Sequence, residues 1–262
     1  MSAQRNPTHG DRERPDRRAP GFLYRCARAA FRFATSGAYR ASIILRWRKP
    51  KNLFQLSAVT WADRYPEIFE FARRELGGGK DVKLLSFGCS TGEEVFTLRR
   101  YFPLATIRGL DINPHSIATC RSKLRARPDP GLTFEVASSL AGEASESWDA
   151  IFCMAIFRDG ALADPGVARC DRRIRFAGFS AMIGDVARCL RPGGLLFLAH
   201  ANFRFRDTPA ARDFDLVLRA RFGSGGAGIT PIFDRDNTRT AEFDCDEAGF
   251  RKKAAPGANS PR

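Results

Sequence analysis

An α/β fold with a mostly parallel sheet is predicted by two repeated patterns. Short apolar runs end in glycines or acids, as in Val82–Phe87, and residues at helical spacing follow them, as from Val95 to Tyr101. The first of these runs does not alternate with polar residues, which is typical of a parallel strand that is covered on both faces. The predicted later strands are Thr106–Asp111, Leu132–Val136, Trp148–Ile156 and Leu195–Ala199.

The beginning of the chain is strongly basic. The 262 residues carry a net charge of +14, yet residues 1–51 hold 13 Lys or Arg against 3 acids. We expect residues 1–21 to be a disordered basic tail and residues 22–51 to be a basic amphipathic segment that contacts nucleic acid or an acidic membrane surface. Packing of this segment on the domain is the plainer alternative. No stretch reaches the roughly 20 apolar residues of a membrane span, and the pattern is not that of a signal peptide.

Residues 52–79 are predicted to be a helical lead into the first strand. Leu53–Leu76 forms one or two helices, with Pro66 opening the second and Gly77 following the last. Trp61, Arg64 and Tyr65 lie before this second helix as lid residues or as part of the core.

The turn after the first strand is the candidate cofactor site. Gly88 and Gly92 allow a ligand to approach the backbone closely, and Ser90 or Thr91 is expected to cap the following helix. Glu93 and Glu94 fall in the first turn of that helix, where they repel a pyrophosphate and attract an ammonium. They favour S-adenosyl-L-methionine (SAM), a sulfonium cofactor, over a dinucleotide, although an acidic first turn also simply stabilises a helix.

Asp111 ends the second strand, about 20 residues after the glycine turn. A carboxylate at this place can accept both ribose hydroxyls of an adenosine cofactor, or it can cap the helix predicted for Pro114–Arg127.

Four motifs together resemble the class I SAM-dependent methyltransferases, and within them most closely the CheR-type protein-glutamate methyltransferases. They are GCSTGEE at 88–94, LDIN at 110–113, WDAIFC at 148–153 and LRPGGLLFLAHANF at 190–203. The resemblance implies a Rossmann-like, seven-stranded, mostly parallel sheet with helices on both faces and an N-terminal helical extension. The methyltransferase domain is expected at 80–255, with a tail at 256–262. Met154 and Ala155 stand where CheR-type enzymes have an Arg-Asn pair, and a larger middle insertion is absent.

The resemblance also implies the residues of the site. Ser138 or Ser139, after the third strand, would contact the adenine. The full expected cofactor set is Gly88, Cys89, Ser90, Gly92, Glu93, Asp111, Ile112, Ser138, Ser139 and Cys153. Arg158 and Asp159 are expected on the acceptor side. His200 and Asn202 follow the fifth strand and are the catalytic candidates; His200 is either a general base or a residue that shapes the loop.

The rest of the chain is predicted in less detail. Ile174–Leu190 is a helix ended by the turn at 191–194, and Thr208–Phe222 is another helix. A flexible loop at 223–228 precedes a closing pair of strands, Ile229–Phe233 and Glu242–Lys252. Seven scattered cysteines, without a C-x-x-C pair, indicate a reduced cytoplasmic protein without a metal site.

The predicted reaction is methyl transfer from SAM to an oxygen or nitrogen of an unidentified acceptor, either a small molecule or a protein side chain. Glutamate O-methylation of a chemoreceptor is one alternative. A catalytically degenerate binding module that acts through its basic arm is another, with a cytoplasmic or peripheral membrane location in either case.

Overall fold

The computed structural model describes residues 21–48, 50, 52–55, 60–220, 230–243 and 245–254. The predictions for residues 1–20, for the loop at 223–228 and for the tail at 256–262 lie outside these residues. The chain forms two compact units, Met1–Arg40 and Ala41–Arg262.

Two helices lie within the predicted basic segment, residues 22–51. Helix α1 is Phe22–Thr35 and helix α2 is Gly37–Arg48. Ser36 separates them, and its side-chain oxygen accepts the backbone N–H of Tyr39 at 3.2 Å. Helix α3, Pro66–Leu76, begins at the expected proline. One or two helices were predicted for residues 53–76, and the described residues of this range form this one helix. Residues 56–59 are not among the described residues.

A seven-stranded sheet forms the centre of the second unit. Its order is β3-β2-β1-β4-β5-β9-β6; β1 to β5 are parallel, and β9 runs antiparallel to both of its neighbours. The strands are β1 Lys83–Phe87, β2 Thr106–Asp111, β3 Leu132–Val136, β4 Trp148–Met154, β5 Leu190–Ala199, β6 Phe214–Arg219 and β9 Glu247–Lys252. The predicted seven-stranded, mostly parallel sheet is therefore confirmed.

Helices cover both faces of this sheet. Helices α3, α4 (Glu93–Tyr101) and α5 (Pro114–Ala126) supply buried residues to one apolar core, and α6 (Phe176–Cys189) supplies them to the other. Every residue of β4 is buried, as expected for a central parallel strand. The carboxyl ends of β1, β2 and β4 meet at one edge, because Phe87 pairs with Leu110 and Ser86 with Phe152.

The turn predicted at residues 191–194 is a bulge inside β5. Trp148 pairs with Leu190, but Ala150 pairs with Leu195, so the extra residues bulge out of the ladder. Gly193 has a φ of +77°, which glycine adopts without strain. Strand β4 ends at Met154, two residues earlier than expected, because Ala155 turns the chain at a φ of +58°.

The C-terminal prediction is partly wrong. The α-helix predicted for Thr208–Phe222 is wrong over the described residues 208–220: Pro209–Asp213 is a short 3-10 helix and β6 follows it. Strand β6 contains three consecutive apolar residues, Leu216, Val217 and Leu218, and Leu216 pairs with Phe250 of β9. The expected hairpin is also divided. Strand β7 (Pro231–Phe233) pairs with β8 (Arg239–Phe243) in a separate small sheet, while β9 joins the main sheet.

Among the described residues, no helix combines the length and the apolar character needed to cross a bilayer.

Candidate active site

The site begins at the tight turn after β1. The backbone N–H groups of Gly88 and Cys89 both donate to the Leu110 carbonyl, at 2.7 and 2.9 Å, which joins the turn to β2. Gly88 and Gly92 have φ values of +84° and +92°. A Cβ on Gly88 would lie 2.8 Å from Cδ1 of Ile156, so the turn has no room for a larger residue there. Gly92, rather than Ser90 or Thr91, occupies the N-cap position of α4, so the predicted side-chain cap is wrong.

Asp111 lies directly beside this turn. Its Oδ2 accepts the backbone N–H of Ser90 at 2.8 Å, and its Oδ1 accepts that of Asn113 at 2.8 Å. Burial raises the pKa of Asp111, although these two hydrogen bonds act in the opposite direction. The N-cap of α5 is Asn113, whose side chain accepts the N–H of His115, so the alternative in which Asp111 caps that helix is wrong. Each carboxylate oxygen keeps a further lone pair for a ligand.

The two glutamates of the turn have different surroundings. Glu93 accepts hydrogen bonds from Lys123 Nζ and Thr91 Oγ1, each at 2.6 Å, and these lower its pKa against the opposing effect of burial. Glu94 instead accepts a hydrogen bond from Ser86 Oγ at 2.7 Å. Burial raises the pKa of Glu94 to about 7.

Glu94 is therefore the better candidate for a cationic ligand, and the cofactor set predicted from sequence omitted it. The carboxylate of Glu93 is already paired with the ammonium group of Lys123. The carboxylate of Glu94 instead accepts a hydrogen bond from Ser86, near the carboxyl end of β1. A signal was present in the sequence: Ser86 is a polar residue inside an apolar strand, and a fully buried hydroxyl needs a partner.

The predicted adenine side lies beyond Asp111. Ala137 N–H donates to the Asp111 carbonyl at 3.0 Å, which holds the ends of β2 and β3 together. Ser138 is exposed, whereas Ser139 is partly buried and its Oγ accepts the Ala141 N–H at 3.5 Å. Ile112 is partly buried between Asp111 and the cap of α5. The structure thus brings Ile112 and the two serines to the same sheet edge as Asp111.

Cys89 and Cys153 are buried supports of the site. Cys153 is 1% exposed inside β4, and burial raises the pKa of its thiol. A hydrogen bond with Cys120, together with burial, raises the pKa of Cys89. Cys120 also donates to the Ser90 carbonyl at 3.3 Å. Neutral thiols packed in this way shape the turn rather than react.

A second group of side chains lies past β4 and β5. His200 follows β5 with a φ of +50° and is 9% exposed. Its ring centroid is 5.9 Å from that of Tyr65. The guanidinium of Arg64 lies 4.3 Å from the ring centroid of Trp61 and 5.1 Å from that of Tyr65. Burial raises the pKa of Tyr65, with the charges of Arg64 and Arg158 acting in the opposite direction and the charge of Glu94 raising it further.

Asn202 is fully buried and joins three loops. Its Oδ1 accepts the Asp159 N–H at 2.8 Å, and its Nδ2 donates to the Pro231 carbonyl at 2.7 Å. Its backbone N–H donates to the Phe157 carbonyl, and its own carbonyl accepts the Phe233 N–H, each at 2.8 Å. With both amide atoms engaged, Asn202 positions the loops after β4 and β5. Asp159 also forms an ion pair with Arg173 at 3.0 Å.

The donor set fits a cationic adenosine cofactor. Two carboxylates, Glu94 and Asp111, flank a glycine turn whose own residues, 88–92, contain no Lys or Arg that would hold a pyrophosphate. Nowhere in the described residues do three His, Cys, Asp or Glu side chains cluster in a way that could hold a metal ion.

Comparisons with known proteins give a matching family model and a curated relative. A family described as "Methyltransferase domain" matches residues 79–220. The ribosomal RNA small subunit methyltransferase C of Hahella chejuensis (strain KCTC 2396) is 30% identical over 153 residues, which are 58% of this chain and 41% of that protein. The chain therefore spans less than half the length of this curated relative.

Two of the solved structures to which this chain is similar are methyltransferases. Geranyl diphosphate C-methyltransferase from Streptomyces coelicolor A3(2) is 17% identical, with a TM-score of 0.39 over 51% of this chain and 45% of that one. Phosphoethanolamine N-methyltransferase 2 from Haemonchus contortus is 15% identical, with a TM-score of 0.41 over 64% of this chain and 34% of that one.

Proposed function

We propose, since this chain belongs to the methyltransferase-domain family, that it transfers the methyl group of SAM to an oxygen or nitrogen nucleophile of its acceptor. The domain is that of a SAM-dependent methyltransferase. One observation supports the assignment of its cofactor residues above the others: Asp111 bonds the Ser90 amide while Glu94 bonds Ser86, so two carboxylates flank one glycine turn.

Each side of the turn has a distinct binding role in this proposal. Glu94 and the backbone of residues 88–92 bind the ammonium end of the cofactor, with Cys89 and Cys153 packed behind them. Asp111 binds the ribose hydroxyls, and Ile112 with Ser138 or Ser139 contacts the adenine. When bound, the cofactor supplies an already activated, electrophilic methyl group, so orienting the acceptor provides most of the acceleration.

His200 is the proposed proton acceptor. It lies at the end of β5 beside Tyr65, where it can take a proton from the nucleophile as the new bond forms. Asn202 holds the loop after β4 and is a positioning residue. Because Asn tolerates the left-handed backbone of residue 200, His200→Asn removes the base while keeping the fold. We expect kcat to fall about 100-fold or more, with SAM affinity unchanged.

Calorimetry with SAM on three variants tests the cofactor site. Glu94→Gln and Asp111→Asn are expected to weaken binding at least tenfold, since each removes a charge that faces the ligand. Glu93→Gln is the matched control: it lies in the same helical turn, but its carboxylate is engaged by Lys123. Weaker SAM binding by Glu93→Gln, with binding by Glu94→Gln unaffected, would show that Glu93, the residue predicted from sequence, binds the ammonium group of the cofactor.

An RNA acceptor is a second candidate. The Hahella relative is named as a ribosomal RNA methyltransferase, and the net charge of +14 favours a polyanionic partner. Incubation with radiolabelled SAM, ribosomal RNA and cell extract distinguishes these acceptors. Label in RNA supports this candidate; label only in protein or small molecules excludes it.

The resemblance to CheR-type enzymes makes glutamate side chains of a protein another candidate acceptor, which the same labelling experiment tests. The GCSTGEE motif favours this acceptor, while Met154 and Ala155 depart from the CheR-type pattern. A methyl ester is released as methanol by mild base, whereas N-methyl groups persist. Base-labile protein label would therefore identify carboxylate methylation.

A further inference from the structure

Helix α1 has a continuous apolar face opposite a stripe of arginines. At 100° per residue, Arg25, Arg28 and Arg32 fall within about 60° of one another on one side of the helix. The opposite side carries Leu23 with Ala27, Ala30 and Ala34. Phe31 and Phe33 border this apolar side. The 14 residues span about 21 Å, which is long enough to present a continuous surface.

The large apolar side chains of α1 are in contact with solvent. Leu23 is 81% exposed, Phe31 is 68% exposed and Phe33 is 44% exposed. Exposed apolar residues scattered singly need no explanation, but these residues lie on the apolar half of one helix, spread over about 160° of its circumference, and such a grouping marks an interaction surface. We refer to Leu23, Phe31 and Phe33 as the apolar face of α1.

The sequence on both sides of α1 carries charge of one sign. The sequence contains no Asp or Glu between Asp16 and Asp63, while ten Lys or Arg residues lie between them. The last-turn Arg32 of α1 lies 4.6 Å from the ring centroid of Tyr39, so a cation and an amphipathic aromatic ring stand together. A partner of this surface must therefore be anionic.

We propose that α1 lies in the plane of an anionic phospholipid surface, with its apolar face in the acyl boundary and its arginines among the headgroups. Nucleic acid is complementary only to the arginines of α1, because the apolar face has no hydrogen-bond donor for phosphates or base edges. A bilayer of acidic lipids satisfies both halves, which is how basic amphipathic helices bind membranes. This inference goes beyond the methyl transfer proposed above and does not rest on it.

Sedimentation of the full-length protein with vesicles tests this inference. Vesicles of phosphatidylcholine with 30% phosphatidylserine are compared with pure phosphatidylcholine at 0.15 M NaCl. We expect binding to the acidic vesicles only. The triple variant Arg25→Gln, Arg28→Gln, Arg32→Gln should weaken binding about fivefold per arginine, or roughly 100-fold in all. The double variant Phe31→Ser, Phe33→Ser should also lose binding, although it keeps every charge.

Two matched controls separate a specific surface from general properties of the chain. Arg125, Arg127 and Arg172 are exposed arginines elsewhere, and their replacement by glutamine leaves α1 intact. Leu104 and Phe243 are exposed by 64% and 52%, and Leu104→Ser with Phe243→Ser removes comparable apolar surface. Both control variants should bind as the unchanged protein does.

Three results would overturn the inference. One is equal binding to both kinds of vesicle. Another is full binding by Phe31→Ser, Phe33→Ser, which would mean that charge alone acts, as it does on nucleic acid. The third is a dimer that dissociates in this same variant without any vesicle, which would assign the apolar face to a second copy of the chain. Methyltransferase activity enters none of these measurements, so failure here leaves the proposed function untouched.

Discussion

At the scale of single residues, Glu94 links the fold to the proposed chemistry. Its carboxylate is held by Ser86, and burial raises its pKa to about 7, with Arg64 opposing that rise. Near neutral pH, the free protein is therefore a mixture of protonated and ionised Glu94. A cationic ligand binds the ionised form better, so binding releases a proton.

The SAM dissociation constant should depend on pH. Because protonated Glu94 does not attract an ammonium, affinity is expected to rise about eightfold between pH 6 and pH 7.5. Titration calorimetry in buffers of different ionisation enthalpy measures both the affinity and the proton release. In Glu94→Gln the dependence should be flat; an unchanged slope in that variant would assign the titration to another group.

The same residue makes the unliganded protein less stable at high pH. The native state holds the Glu94 proton more tightly than the unfolded chain does, so stability falls as pH rises from about 4.5 through about 7. Glu94→Gln should therefore stabilise the free protein at pH 8 by about 1–2 kcal/mol, after allowance for partial exposure. Denaturant unfolding at pH 4.5 and pH 8 gives the comparison, and a destabilised variant at pH 8 would contradict it.

At the scale of elements, the start of α6 depends on a distant hairpin. The cap residue Arg175 offers no side-chain hydrogen bond, and the Oδ1 of Asn237 accepts the Phe176 N–H at 2.7 Å instead. Asn237 lies in the β7–β8 turn with a φ of +63°, and its carbonyl also accepts the Cys170 N–H at 3.0 Å. One asparagine thus joins the small sheet to the helix that covers the large one.

Asn237→Ala is expected to destabilise the protein by about 1–2 kcal/mol, since the cap is lost and the left-handed backbone becomes strained. Two further variants separate these effects. Asn237→Gly relieves the backbone but lacks the acceptor, whereas Asn237→Asp keeps the acceptor and tolerates the backbone. Thermal unfolding should rank Asp above Gly and Gly above Ala; equal melting temperatures for all three would show that the cap contributes nothing.

Elements were predictable from sequence where contacts are local or burial is complete. Strands β1 to β3 follow the predicted ranges almost residue for residue, because most of their apolar residues are buried. The C-terminal strands were not predictable in this way. Strand β9 pairs with β5 and β6, from both of which it is separated by a long stretch of sequence. Glu94 was missed for a similar reason, because its partner Ser86 is known only once the turn is folded.

At the scale of the whole molecule, the basic residues and the acidic residues of the candidate site lie in different parts of the sequence. The basic residues before Asp63 lie outside the glycine turn, while the candidate site presents Glu94 and Asp111. The sequence predicted the basic beginning of the chain and Asp111, since net charge and motif spacing need no structure, but its cofactor set contained Glu93 rather than Glu94. The separate surroundings of Glu93 and Glu94 depend on Lys123 and Ser86, and those contacts appear only in the folded chain.

Calorimetric titration of the full-length protein with SAM and, separately, with NADH tests the central claim most directly. Because residues 88–92 of the glycine turn contain no Lys or Arg and two carboxylates flank the turn, the protein should bind the sulfonium compound at one site per chain and give no heat with the dinucleotide. Saturable heat from NADH, with none from SAM, would contradict the account.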